Sequence, residues 1–224
     1  MPGGPDRQLS RSRSGLRHAI GHDDAPSPEE MTRDAPAVTV QPLTLDLVDA
    51  MGRVHKDGFG TKACCCCCPH DPTARSFYEK HPERLGMCGV ALEGTTPLGY
   101  VQLAIYPMND KDGLHTTKPG EAYVEQISVA VAARGKGVGR MLLQWAEAKA
   151  REHQCTILTL AVLNGNPARR LYERFGFVAK SQDDVLDECI AGVVVMCIVG
   201  RPYGMCDPHF GAVDMSKPLA HVNG

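Results

Sequence analysis

The sequence predicts a mixed α/β fold in which a central mixed, mostly antiparallel sheet is flanked by helices. Three observations carry this. A strand-like run over Ala122 to Val131 enters the glycine-rich turn Arg134-Gly135-Lys136-Gly137-Val138-Gly139, and an amphipathic helical pattern follows at once. A nearly continuous apolar run, Cys155 to Leu163, comes after that helix, so the strand-helix-strand crossover sets it parallel to the central strand. Upstream, the apolar runs Leu85 to Leu92 and Leu98 to Tyr106 flank Glu93-Gly94-Thr95-Thr96-Pro97, a spacing that predicts an antiparallel hairpin.

Residues 1–36 are rich in Pro, Gly, Ser, Arg and Asp with few large apolar side chains, which predicts a disordered tail. Val38-Thr39-Val40 then gives a first strand, and Leu43, Leu45, Leu47, Val48, Met51 and Val54 a first helix. Gly58 to Pro72 reads as a loop, and Thr73 to Lys80 as a short helix stopped by His81-Pro82. A polar loop over Pro107 to Gly120 leads into the central strand. In the helix after the glycine turn, Val138, Met141, Leu142, Trp145 and Ala148 form one stripe opposite Arg140, Gln144, Glu147 and Arg151, so one face packs on a sheet. Asn166-Pro167 opens a second short helix, Ala168 to Phe175, which Gly176 closes. Phe177-Val178 restarts a strand, Ile190 to Val199 supplies the last one, and residues 201–224 read as an irregular extension. The expected organisation is a tail over 1–36, one domain over 37–200 and the extension.

Lys plus Arg total 24 against 26 for Asp plus Glu, a net charge of -2, which gives no reason to expect nucleic acid or an anionic membrane as partner. No apolar run approaches the roughly 18 residues of a membrane span. Five of the ten cysteines are consecutive and no apolar signal core opens the chain, so a reducing, cytoplasmic location is expected. Arg7, Arg11, Arg13 and Arg17 with Leu9, Leu16 and Ile20 at helical spacing leave an organelle transit segment as the alternative. Cys64 to Cys68 with His70 holds two overlapping Cys-x-x-Cys spacings, but no second pair completes a zinc site, and no metal is expected. Cys88, Cys155 and Cys197 read as small core residues.

The glycine turn gathers backbone NH groups at a helix N-terminus, a geometry that binds anions, most often phosphate; Arg134 and Lys136 add charge. A dinucleotide fingerprint wants glycine where Arg140 stands, and a Walker loop wants Ser or Thr where Gly137 stands. What remains, Arg-x-x-Gly-x-Gly between a strand and a helix, resembles the acetyl-CoA-binding motif of the GCN5-related N-acetyltransferase (GNAT) superfamily. Asn-Pro-Ala-Arg-Arg-Leu-Tyr-Glu-Arg-Phe-Gly-Phe, Asn166 to Phe177, resembles the second signature of that superfamily. Order and separation match across Val38 to Val199, with one departure: Gly165 stands seven residues before Tyr172, where the family often has asparagine, and Asn164 and Asn166 flank it.

The resemblance implies a GNAT-like acyl-CoA N-acyltransferase fold and direct acetyl transfer from acetyl-CoA to a primary amine in a ternary complex. It places the cosubstrate against Ile127, Ser128, Val129, the turn Arg134 to Gly139, Arg140, Asn164 or Asn166, and Tyr172. A backbone NH at Val129 or a neighbour polarises the thioester carbonyl, and Tyr172 protonates the leaving thiolate while Leu171 and Phe175 anchor its helix. Glu125, counted on the same face as Tyr123, Ile127 and Val129, is the expected general base, since a carboxylate among apolar neighbours suits that role. Glu121, Tyr123 and His115 are reserves. Glu93, Asp110, Asp112, Glu121 and Glu125 would favour a cationic acceptor if they met at its mouth. The alternative function is a non-catalytic CoA-binding sensor, or a thiol- or metal-binding module using Cys64 to Cys68.

Overall fold

The computed structural model describes residues 37–59, 73–107, 115–180 and 212–220. The expected tail over 1–36, the cysteine run and the expected strand over 190–199 lie outside the described residues. Among those described, seven strands form one sheet in the order β1-β2-β3-β4-β5-β7-β6. These are β1 (Val38–Pro42), β2 (Cys88–Glu93), β3 (Thr96–Ile105), β4 (Glu121–Val129), β5 (Ile157–Leu163), β6 (Val178–Ala179) and β7 (Ala212–Pro218). Every neighbouring pair is antiparallel except β4 and β5, the pair joined by a helical crossover.

Two apolar clusters sandwich the sheet. On one face α3 (Val138–Glu152) buries Val138, Leu142, Leu143, Ala146 and Ala150 against Val101, Leu103, Val124, Leu158 and Leu160. The stripe lies slightly round from the expected one: Ala148 is exposed, while Leu143 and Ala146 are buried. On the other face α1 (Val48–Phe59) and α2 (Thr73–Lys80) cover Cys88, Val90, Leu92 and Tyr100 with Val48, Met51, Val54 and Tyr78. Gly89 lets the indole of Trp145 lie on β2, since a Cβ there would stand 2.5 Å from the ring. A fourth helix, α4 (Arg169–Phe175), crosses the first turn of α3, where Gly139 makes room for Leu171.

Two expectations change. Residues 82–87 form a 3-10 turn, so the strand expected from Leu85 begins at Cys88. The segment expected to be an irregular extension contains β7, which pairs along the whole of β5 and also with β6. Val213 and Met215 face the α3 cluster while Asp214 and Ser216 alternate with them, a period-two pattern obscured by the surrounding glycines and prolines.

Candidate active site

The parallel pair does not run the length of its strands. Register holds from Glu121 opposite Ile157 to Val124 opposite Leu160, and there it stops. Beyond that point β4 pairs with β3 and β5 pairs with β7, so the two central strands part. At the parting β4 carries a bulge: Gln126 faces Gln102 and Val124 faces Leu103, which leaves Glu125 as the extra residue.

The bulge divides the face assigned to Glu125, which keeps Tyr123 and loses Ile127 and Val129. One inserted residue reverses the alternation, so Ile127 and Val129 pack with the α3 cluster instead of sharing a face with Tyr123. Glu125 turns to the α1-α2 side, 18% exposed, where Arg84 Nη2 lies 2.6 Å and Gln102 Nε2 2.9 Å from its Oε2. Beside it the Tyr100 hydroxyl donates to Gln126 Oε1 at 2.8 Å and bonds His55.

Past the bulge, Ala130 NH donates to Leu98 O across to β3. Alternate residues of a strand direct their backbone groups to opposite sides, so Ser128 also faces β3 while the NH groups of Ile127 and Val129 face the gap. The Ser128 hydroxyl bonds Val54 O in α1. Of the three β4 residues expected to meet the cosubstrate, two therefore present backbone donors to the opening and Ser128 does not.

The glycine turn lies at the far end of β4. Gly135 and Gly137 have φ of 79° and 84°, and a Cβ at either would meet nothing within 4 Å, so backbone conformation and open space in front of the turn set the requirement for glycine. Gly137 caps α3, whose first NH groups have no acceptor within the helix. Lys136 and Arg140 are exposed at this end. Arg134 is spent differently from expectation: its guanidinium donates to Val129 O at 3.3 Å and Gly58 O at 3.0 Å, tying the end of β4 to α1. Gly139 serves the packing of Leu171, and Val138 is buried in the core.

At the end of β5, Asn164 is buried and Asn166 is half-buried. Asn166 Oδ1 accepts the Ala168 NH at 2.9 Å, which shapes the turn into α4. Tyr172 goes deeper than Leu171 or Phe175: it is 6% exposed, edge-on to Phe177, and burial pushes its phenol well above the ordinary value. The tyrosine expected to be held by its neighbours is thus itself part of the core between α3 and the sheet.

The reserve residues form a separate cluster. Burial pushes the Glu121 carboxyl up, but the Thr159 hydroxyl at 2.6 Å, the Lys118 NH at 3.0 Å and His115 at 3.0 Å together hold it below the ordinary value. His115 stacks on Tyr123 with ring centroids 4.2 Å apart, and burial, aided by Asp214 and Glu125, pushes the Tyr123 phenol up to about 12. Glu93 stands between β1 and β3, away from β4, and Asp110 and Asp112 lie outside the described residues, so of the expected acidic gathering Glu121 and Glu125 remain, joined near Tyr123 by Asp214. Cys88 and Cys155 are buried free thiols, as expected of core residues; Cys197 lies outside the described residues. The described residues contain no group of three metal-ligating side chains.

Arg84, Gln102 and Asp214 were not among the residues singled out from sequence. Arg84 is polar in a stretch that reads as the approach to a strand, and its burial follows from the 3-10 turn that folds it beneath the sheet.

A sheet whose one parallel pair parts beside the glycine-capped N-terminus of its crossover helix has the acyl-CoA N-acyltransferase architecture. Residues 56–177, more than half of the chain, match the family described as Acetyltransferase (GNAT) family, and the chain belongs to it. Over 64 residues it is 44% identical to a streptothricin acetyltransferase of Streptomyces lavendulae; the match covers 28% of this chain and 34% of that protein, so the chain spans about a third of the length of this curated relative. The fold is similar to that of a ribosomal-protein-alanine N-acetyltransferase from Brucella melitensis, at 21% identity and TM-score 0.57, covering 81% of this chain and 99% of that one. It is similar also to PaiA N-acetyltransferase from Thermoplasma acidophilum, solved in complex with coenzyme A, at 14% identity and TM-score 0.53, with 81% and 99% covered. At such identities these structural likenesses bear on the fold.

Proposed function

We propose that this protein is an N-acetyltransferase that moves an acetyl group from acetyl-CoA to a primary amine by direct transfer in a ternary complex. The observation that carries the reading is the parting of β4 from β5 after Val124 and Leu160, with Glu125 bulged out at the fork and the Gly137-capped helix end beyond it.

Acetyl-CoA supplies the acetyl group as a thioester. The open space before Gly135 and Gly137, the NH groups opening α3 and the exposed Lys136 and Arg140 fit the pyrophosphate of such a cosubstrate. Asn164 and Asn166, just past the end of β5, complete the cosubstrate site. Val129 NH, directed into the gap, donates a hydrogen bond to the carbonyl oxygen as negative charge develops on it.

An alkylamine of pKa near 10.4 is almost wholly protonated at pH 7, a penalty of roughly 4 to 5 kcal/mol for attack. Glu125 takes that proton, directly or through water, from the α1-α2 side of the sheet. Tyr172, kept protonated by burial, gives a proton to the departing sulfur.

Incubation with acetyl-CoA and a broad amine panel, following CoA thiol and acetylated product by mass spectrometry, tests the reading. Amine-dependent formation of both is expected. Tight acetyl-CoA binding with no transfer to any amine would favour a CoA-binding sensor, and no binding at all would overturn the assignment built on the glycine turn.

A further inference from the structure

The polar cluster behind Glu125 is larger than a lone proton acceptor needs. Arg84 reaches it from the 3-10 turn before β2, with its side chain only 3% exposed. Gln102 in β3 donates to the same Oε2, and its amide is oriented in turn by the Tyr78 hydroxyl of α2, which donates to Gln102 Oε1 at 3.2 Å. With Oε1 engaged, the amide can only turn its NH2 toward Glu125. Two separate elements thus place donors on one carboxylate oxygen, and a third fixes one of those donors.

Four titratable or charged groups face Glu125 from the elements packed around it: Arg84 from the turn, Tyr78 from α2, Cys88 from β2 and Tyr123 from its own strand. Burial pushes the Tyr78 phenol up, and pushes the Cys88 thiol up to about 12, so both are neutral at pH 7. Tyr123 is likewise neutral. Arg84 is the charged member of this set.

We infer that Arg84 is a positioning residue for proton transfer: it aims the Glu125 carboxylate and sets the pH range in which that carboxylate can accept a proton. The inference rests on the reading of Glu125 as proton acceptor. A positive charge at ion-pair distance in a poorly solvated site stabilises the ionised carboxylate, so the base remains available at lower pH but pulls less strongly on the amine. Because Arg84 and Gln102 share Oε2, the pair also fixes the plane of the carboxylate, which leaves its direction toward the fork under the control of the 3-10 turn and β3 and not of solvent.

The test is the pH dependence of kcat/KM, with acetyl-CoA and whichever amine of the panel is acetylated, for the full chain and for Arg84→Gln, Arg84→Lys and Gln102→Met. Loss of the positive charge in Arg84→Gln should move the midpoint of the acid limb upward by about 1 unit or more. Arg84→Lys should leave the limb near its original place and lower kcat about tenfold, since charge survives and the planar fork does not. Should Arg84→Gln fail to fold, Gln102→Met carries the test, with an upward move of about half a unit from the lost donor. An unmoved limb in Arg84→Gln, or in Gln102→Met where Arg84→Gln does not fold, overturns the inference. Glu125→Gln separates it from the reading beneath it: an acid limb that survives this change removes Glu125 as the base. A 13C titration of the Glu125 carboxyl in the full chain and in Arg84→Gln reads the influence of Arg84 without turnover.

Discussion

Tyr172 owes its retained proton to its surroundings. Burial raises its phenol, and a group so raised is fully protonated throughout the neutral range, ready to donate and unable to act as a base. Tyr172→Phe keeps the ring against Phe177 and removes only the hydroxyl, so kcat should fall about 10²-fold while acetyl-CoA affinity, read by the fluorescence of the single tryptophan, Trp145, changes little. Equal loss in both would make Tyr172 a packing residue. Glu121 gives the opposite sign. Its carboxyl is held below the ordinary value of 4.5, so its stabilisation is fully present above that value and is lost as pH falls through the lowered folded value. Glu121→Gln should cost about 2 kcal/mol at pH 7, with Thr159 and His115 left facing an amide, and the gap from the unmodified protein should narrow in denaturation series taken below pH 4.5.

The elements show where sequence patterns reach and where they stop. The α3 crossover was legible because the apolar spacing of Val138, Leu142 and Trp145 and the turn before it are local properties, and the parallel pair followed from the handedness of the crossover. The bulge was not legible, because an extra residue is a relation between two strands: nothing in Val124-Glu125-Gln126 says that β3 will skip one of them. Counting by twos therefore placed Glu125 with Ile127, and the Arg84 partnership went unseen with it. Asparagine presented the same difficulty, since the capping of α4 by Asn166 depends on how the chain leaves β5. Packing at α3 makes a prediction of its own. A Cβ on Gly89 would lie 2.5 Å from the rigid indole of Trp145, whereas one on Gly139 would meet the flexible end of Leu171 at 2.9 Å. Gly89→Ala should cost about 3 kcal/mol and shift the Trp145 emission, and Gly139→Ala about 1 kcal/mol with emission unchanged. Chemical denaturation followed at the indole measures both.

Across the whole described fold, β7 braces α3 at Glu147, ten residues past the glycine that caps it. Lys217 of β7 donates to Glu147 of α3 at 2.6 Å and lies 4.0 Å from the centre of the Phe175 ring, while Arg151 bonds both Glu147 and Ala220 O. This ties α3, α4 and β7 together without touching Gly135 or Gly137. Acetyl-CoA present at 100 times its dissociation constant should add about 2.7 kcal/mol to the unfolding free energy. For a chain of 224 residues that corresponds to a Tm increase of about 5 to 10 °C. Lys217→Met should lower the starting Tm by a few degrees, through the loss of a partly buried ion pair worth about 1 to 2 kcal/mol, and leave the ligand-induced increase intact. Gly137→Ala should do the reverse in kind: a side chain at φ 84° strains the turn by about 1 to 2 kcal/mol, and its Cβ fills the space before the helix, so the ligand-induced increase should shrink by at least half. Thermal melts of the three proteins with and without acetyl-CoA decide the matter: an undiminished shift in Gly137→Ala would move the anion site away from the α3 N-terminus, and a diminished one in Lys217→Met would mean that β7 supports the site as well as the sheet.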